Sequence, residues 1–331
     1  MEPSNLALFW AGALALAILV YVILDGFDLG VGVLFGTTRD DARRETMMHA
    51  IAPFWDGNET WLVIIGAGLF AAFPVVYGVF LSAFYLPVLL LLVGLIFRGI
   101  AFEFRHRSRG MRVFWDYGFF IGSIVIAFVQ GAAVGTMIEG IPVANNQYAG
   151  GAFAWLRPFP VLTGIGLVLG YALLGAGWLV VKCDGESRDW AYRRIPWIVV
   201  SVLVVLGVAF ALVLDKSALA QSNLRARQWG FVFPVLGILA LVAVLIGARR
   251  RRDRMPFAMT ALFFLASYLT LGVMFWPFMI PYTITVASAA APDASLRFFF
   301  YGAGIFALPI VIIYTIGVYW IFRGKGHKGY G

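Results

Sequence analysis

The chain has 331 residues, 62% of them hydrophobic and only 13% charged, with a mean hydropathy of +0.89. Soluble domains carry roughly 25% charged residues, so this composition excludes a water-covered globule and points to a bilayer as the solvent. The formal charge of +8 would suggest nucleic acid in a soluble protein; here the basic residues cluster in short connections, where they report membrane topology.

No basic, cleavable leader opens the chain, so its first apolar stretch is expected to stay as a span. A span needs about 20 apolar residues. Stretches free of Asp, Glu, Lys and Arg predict nine spans, near 5–35, 51–71, 78–98, 115–138, 158–181, 196–214, 229–248, 256–281 and 298–322. The run Thr60–Phe97 holds most of two spans, with a turn at Phe73-Pro74. The run Met255–Pro292 reads as one helix followed by a loop, because a Thr/Ser/Ala stretch follows Pro277 and Pro281. The expected fold class is an all-α integral membrane protein of about nine transmembrane helices, a single transmembrane domain over 1–331. A plan of two four-helix units plus one extra helix is suggested by an echo between Leu19-x-Tyr21-x-x-Leu24 and Leu169-x-Tyr171-x-x-Leu174. Chance similarity between apolar helices explains that echo equally well.

With nine alternating spans, 20 basic residues fall on one face, among them Arg39, Arg43, Arg44, Arg105, Arg112, Lys182, Arg249–Arg252 and Lys325. The other face receives five: Arg157, Lys216, Arg225, Arg227 and Arg297. Basic connections stay cytoplasmic, which places the N-terminus outside and the C-terminus in the cytoplasm. A tenth span would put the basic tail on the wrong side.

Charged side chains at membrane depth are costly and therefore functional candidates. Span one carries Asp25 and Asp28, three apart and on one helix face. Span two opens Phe54-Trp55-Asp56-Gly57-Asn58-Glu59-Thr60-Trp61, so Asp56 and Glu59 are also three apart. At a rise of about 1.5 Å per residue, Asp25 lies roughly 15 Å before the inner end of its span, and Asp56 roughly 10 Å in from His49. Both pairs are expected at similar depth in the cytoplasmic half. Four carboxylates in reach of one another repel if all are ionised, so such a cluster holds and passes protons. Arg98 is the expected counter-ion; Glu103 and Asp116 lie at the same end. For Arg98, Glu103 and Asp116 the competing reading is an interfacial charge reaching water, and for Glu59 it is a helix-capping role. Trp55 and Trp61 flank the acids.

Redox metals need ligands that this chain does not present within its spans. Haem iron takes His, Met, Cys or Tyr, and the only histidines, His49, His106 and His327, lie in loops or the tail. The single cysteine, Cys183, excludes an internal disulfide and a multi-thiolate site. No metal or haem site is therefore expected in this chain.

Asp25-Gly26-Phe27-Asp28-Leu29-Gly30-Val31-Gly32, Ile51-Ala52-Pro53-Phe54-Trp55-Asp56-Gly57-Asn58-Glu59-Thr60-Trp61-Leu62 and Phe97-Arg98-Gly99 with Phe102-Glu103-Phe104-Arg105 resemble subunit II of the cytochrome bd quinol oxidases. Trp115-Asp116, Phe120-Ile121-Gly122-Ser123 and Met274-Phe275-Trp276-Pro277-Phe278 continue the pattern. The resemblance runs the length of the chain and is densest in the first 125 residues. It implies a subunit of a prokaryotic inner-membrane oxidase that oxidises quinol and reduces dioxygen to water. It further implies a partner subunit I holding the b-type haems and haem d, with room for a small accessory subunit. The aspartate matching Asp56 is implied to lie on a proton route from the cytoplasm, and a structural quinone between helices is implied as well. Glu59 stands where better-known members have Gln, and the chain is shorter; both look like the cyanide-insensitive branch, whose haem content can differ. Two rival readings stand beside this one. A secondary transporter would also use carboxylates at glycine-interrupted helices, and a purely structural subunit would stabilise subunit I without moving protons.

Overall fold

The computed structural model describes residues 2–107, 109–216 and 227–325. Arg225, His327 and Lys328, and the side chains of His106, Arg109 and Lys216, lie outside the described residues.

Among the described residues eight helical segments are long and apolar enough to cross a membrane. They are α1 (Asn5–Phe35), α5 (Tyr85–Arg107), α6 (Arg112–Glu139), α7 (Pro158–Lys182), α8 (Gly185–Lys216), α9 (Val232–Arg249), α10 (Arg254–Phe275) and a final segment over Asp293–Ile321. That last segment comprises α12 (Asp293–Phe299), a π-helical stretch Phe300–Ala307 and α13 (Leu308–Ile321). Pro309 accounts for the wide turns before α13, because its ring removes an N–H and clashes with the carbonyl four residues back. A ninth apolar helix, α3 (Trp55–Ala72), has 18 residues and a polar first turn. The all-α membrane architecture of about nine helices holds.

Helix boundaries depart from the sequence reading most at four places: α8 begins at Gly185 rather than near 196 and runs through Pro196, and the other three each have a local reason. Span two does not begin near His49. Asp40 caps a separate helix α2 (Asp41–Ile51) by accepting from Arg43 N, and α3 starts only at Trp55. Span three runs over Tyr85–Arg107 rather than 78–98. The chain breaks twice, at Phe73 and at Phe84, isolating a short helix α4 (Pro74–Ala83); Pro74 and Pro87 sit in first turns, where the missing N–H costs nothing. Span eight ends at Phe275 rather than 281, because the residue before Pro277 is extended. The chain then makes a hairpin of β3 (Phe278–Ile280) and β4 (Ile284–Thr285), followed by α11 (Val286–Ala289). A second hairpin, β1 (Val143–Ala144) with β2 (Gln147–Tyr148), follows α6. It turns on Asn145 and Asn146 at φ 51° and 59°, the left-handed pair that two-residue hairpins favour.

α1 is the hub. It packs on α3, α6 and α7, while α7 packs on α6, α8 and α10. The approach of α1 to α7 is backbone to backbone. A Cβ on Gly30 would sit 1.7 Å from the Tyr171 carbonyl oxygen, and one on Gly175 would sit 2.4 Å from Gly30 C. Small residues let membrane helices meet this closely, with packing replacing the hydrophobic drive that lipid does not supply. As a result every residue from Asp25 to Phe35 is buried. The C-terminal half of α1 from Asp25 on is enclosed on all sides.

Candidate functional site

The enclosed half of α1 carries two carboxylates, and neighbouring helices bring their partners. Asp25 and Asp28 are fully buried, Asn58 is 2% exposed and Arg98 is 1% exposed. α5 continues to Arg107, which places Arg98 well inside its helix rather than at its end. Arg98 Nη1 donates to Asp25 Oδ1 at 3.1 Å and to Glu59 Oε1 at 2.9 Å, bridging α1 and α3 with one guanidinium. Asn58 Nδ2 donates to Asp28 Oδ2 at 2.6 Å, and its Oδ1 accepts from Tyr319 OH of α13 at 3.0 Å. Asp25 Oδ2, Asp28 Oδ1, and Arg98 Nε and Nη2 are buried without a partner among the described residues. Three carboxyl groups thus lie around one fixed positive charge, Asp25 and Asp28 fully buried and Glu59 with its side chain 20% exposed. Fully ionised, the cluster would carry two uncompensated negative charges, which low-dielectric surroundings penalise heavily. Protons are the lightest way to balance it.

Asp56 is not part of this ion-pair cluster. It lies in the first turn of α3 and is exposed, not roughly 10 Å deep as a span starting at His49 would have placed it. Asp56 and Asn58 are roughly 200° apart around the helix, so the face that buries Asn58, Trp61 and Gly68 turns Asp56 outward. Beside it, α13 passes with its flank uncovered: Ile313 is 70% and Trp320 65% exposed. The space at Gly57 opens on Tyr314, 3.5 Å from a Cβ built there. Trp55 stacks on Phe102 with ring centroids 5.3 Å apart, and Trp61 is buried beside Tyr21.

The remaining sequence candidates fall elsewhere. Glu103 is 63% exposed and pairs with Arg107 one turn on. Asp116 joins a different group, accepting from Arg44 Nη1 at 2.8 Å and Arg105 Nε at 2.5 Å. Sequence reasoning missed the neutral members of the network. Besides Asn58 and Tyr319 these are Tyr21, Gln130 and Tyr171: Tyr171 OH donates to Gln130 Oε1 at 2.8 Å and Gln130 Nε2 donates to Tyr21 OH at 2.8 Å. The two tyrosines of the echo between α1 and α7 therefore grip one glutamine of α6.

The described residues contain no group of three His, Cys, Asp or Glu side chains placed to hold a metal ion. His49 lies in α2, off the crossing helices.

Residues 6–322 match the family model described as cytochrome bd terminal oxidase subunit II. The chain is 31% identical to cytochrome bd-I ubiquinol oxidase subunit 2 of Escherichia coli K12, covering 98% of this chain and 96% of the relative. It is 30% identical to cytochrome bd ubiquinol oxidase subunit 2 of Bacillus subtilis, covering 96% of each. Its fold is similar to a chain in the structure of the bd oxidase from Geobacillus thermodenitrificans. There the TM-score is 0.76 at 15% identity, over 96% of this chain and 99% of that one.

Proposed function

The chain belongs to the cytochrome bd terminal oxidase subunit II family, and from that membership we propose that it is the haem-free subunit of an inner-membrane quinol:oxygen oxidoreductase and supplies a cytoplasmic proton-uptake route. Haem b and haem d belong to a partner subunit I, where dioxygen is reduced to water with electrons from quinol. That division is supported by the ligands this chain offers: its three histidines are His49 in α2, His106 past the apolar part of α5, and His327 in the tail.

One observation carries the proton role. Asp25 and Glu59 meet on the one guanidinium of Arg98, with Asp28 one helical turn from Asp25 and bonded to Asn58, while Asp56, three residues from Glu59 on the same helix, faces outward. Side chains three apart on a helix stand roughly 5–6 Å apart at Cβ, one proton hop through a water. Asp56 takes a proton at its carboxylate from the side where α2 and the basic connections lie. Glu59 and Asp25 hold it beside Arg98, and Asp28 is kept oriented by Asn58. The uncovered flank of α13 beside Asp56 is the face that suits an apolar partner subunit, so a proton at Asp56 can be handed across that joint. The excess of basic residues makes this face cytoplasmic, with the N-terminus outside. Packing against the same flank also lets the chain stabilise subunit I.

The test is proton uptake by the purified complex, read with a pH-indicator dye while the reduced enzyme meets oxygen. The proposal expects uptake from the basic face to slow in Asp56→Asn. Uptake at the wild-type rate would remove the route from this chain.

A further inference from the structure

The arginines around Asp116 and Asp41 leave hydrogen-bonding capacity unspent. Arg105 of α5 has a side chain fully withdrawn from solvent. Its Nε and Arg44 Nη1 together occupy both oxygens of Asp116. Arg105 Nη1 and Nη2, and the Nε atoms of Arg43, Arg44 and Arg112, are buried without a hydrogen-bond partner among the described residues. An unpaired buried N–H on a cation costs free energy, so a cluster of them marks a place that expects an acceptor.

What stands there is a loosely held carboxylate. Asp41, the first residue of α2, has Oδ1 3.6 Å from Arg105 Nη2 and Oδ2 3.9 Å from Arg112 Nη1, and its side chain is 63% exposed. These are ion-pair separations, beyond hydrogen-bond length. The 11-residue helix α2 begins at the same point, its Arg43 N–H capped by Asp40, and adds the positive end of its dipole. Arg44 and Arg105 share Asp116 here, while Arg112 and the rest of the Arg105 fork reach only Asp41.

We infer that the space between the first turn of α2 and the Arg105–Arg112 pair binds a phosphate anion, displacing the Asp41 carboxylate outward. A guanidinium fork matches phosphate oxygens in pairs, and a tetrahedral anion reaches two arginines that one short aspartate cannot satisfy. The phosphate source favoured by position is an anionic phospholipid headgroup. Arg105 ends the apolar part of α5, at the level of the headgroups. Val113, Phe114 and Tyr117 directly after Arg112 are 67%, 48% and 59% exposed, an apolar surface on which acyl chains lie. Inorganic phosphate shares the chemistry.

The membrane complex containing this chain is purified, stripped of lipid and titrated in separate arms with phosphatidylglycerol, with phosphatidylcholine of the same acyl chains, and with inorganic phosphate. Thermal unfolding and lipid retained in native mass spectrometry are read. Wild type is expected to bind phosphatidylglycerol or phosphate and to be indifferent to the zwitterionic lipid. A response to phosphatidylglycerol alone assigns the site to a lipid headgroup, and a response to phosphate alone assigns it to the free anion. Arg112→Gln, at a partly exposed position, should weaken binding about tenfold. Asp41→Asn should tighten it, because the competing charge is gone; a purely structural Asp41 would lower stability and leave binding unchanged. Equal binding by wild type, Arg112→Gln and Asp41→Asn, or equal binding of the zwitterionic lipid, overturns the site.

Discussion

Arg98 Nη1 donates to Asp25 Oδ1 at 3.1 Å, and the two side chains are 1% and 0% exposed. Taking one partner from a buried pair leaves the other uncompensated, at about 3–5 kcal/mol. Arg98→Leu is therefore expected to cost about that much, read as a lower unfolding midpoint of the complex in detergent. Arg98→Leu with Asp25→Leu should recover part of the loss, because it removes the fully buried stranded charge of Asp25 and leaves only the partly exposed Glu59 without its partner. If the double variant is no more stable than the single one, the pair does not carry the energy assigned to it.

The backbone contact between α1 and α7 gives a second expectation. Gly30→Ala puts a methyl group 1.7 Å from a carbonyl oxygen, whereas Gly66→Ala meets nothing within 4 Å. The first should destabilise by about 1–3 kcal/mol or prevent assembly, as overpacked cores do. The second should be silent in the same unfolding assay. Equal behaviour would mean that the helices can separate freely at Gly30.

The C-terminal tail is clasped at the basic end. Lys325 donates to Asp184 and Asp253, Tyr192 OH donates to Asp253 Oδ1 at 2.8 Å, and Lys182 Nζ donates to the carbonyls of Phe322 and Gly324. Burial pushes the Asp253 carboxyl up, but hydrogen bonds from Tyr192 and Lys325 and the charges of Lys325 and Arg188 outweigh it and hold the group below the usual aspartate range. Lys325 is held above the usual lysine range, first by its bond to Asp184. A depressed carboxyl stabilises above its unfolded pKa, and that contribution is lost as pH falls through the folded one. A raised amine stabilises below its unfolded pKa, and the contribution is lost as pH rises through the folded one. The clasp should therefore last from below about pH 4 to above about pH 10. Carboxypeptidase digestion at neutral pH checks it: Lys325→Ala should expose the tail faster than wild type.

Topology can be labelled against a quiet background. Cys183 is 3% exposed, and burial, with the charge of Asp184 beside it, pushes its thiol up to about 12, so it should not react with maleimide at neutral pH. Glu2→Cys should label from outside and Gly324→Cys from the cytoplasm. Labelling of both from one side would break the nine-span orientation.

Arg98 was legible in the sequence as a counter-ion at the same end as the acids, beside the reading of an interfacial charge reaching water; α5 running on to Arg107 is what carries it inside. Asn58, Gln130 and Tyr319 were not legible, since counting formal charge passes over neutral amides and hydroxyls, and these cost little enough to be scattered through any span. The turn at Phe73-Pro74 was readable from proline, whereas the break at Phe84 lies between two equally apolar helices. Its only mark, Pro87 in the next first turn, looks the same as a proline inside a longer span. Placing Asp56 depended on where α3 begins. α2 ends at Ile51, and the turn through Pro53 puts the start of α3 at Trp55, which turned a buried candidate into an exposed one.

Asp56 carries the protons taken up at the basic face toward the partner subunit, with Glu59 and Asp25 holding them beside Arg98, and quinol-driven oxygen consumption per haem in the Asp56→Asn complex reads that role. Asn keeps the size and hydrogen-bonding capacity of Asp but cannot carry a proton. Turnover should fall about tenfold or more, equivalent to roughly 1.4 kcal/mol on the barrier, while the haem spectrum stays unchanged because no ligand is touched. Asp25→Asn should show a smaller loss. Wild-type turnover in Asp56→Asn, or loss of the haems together with activity, would contradict the account.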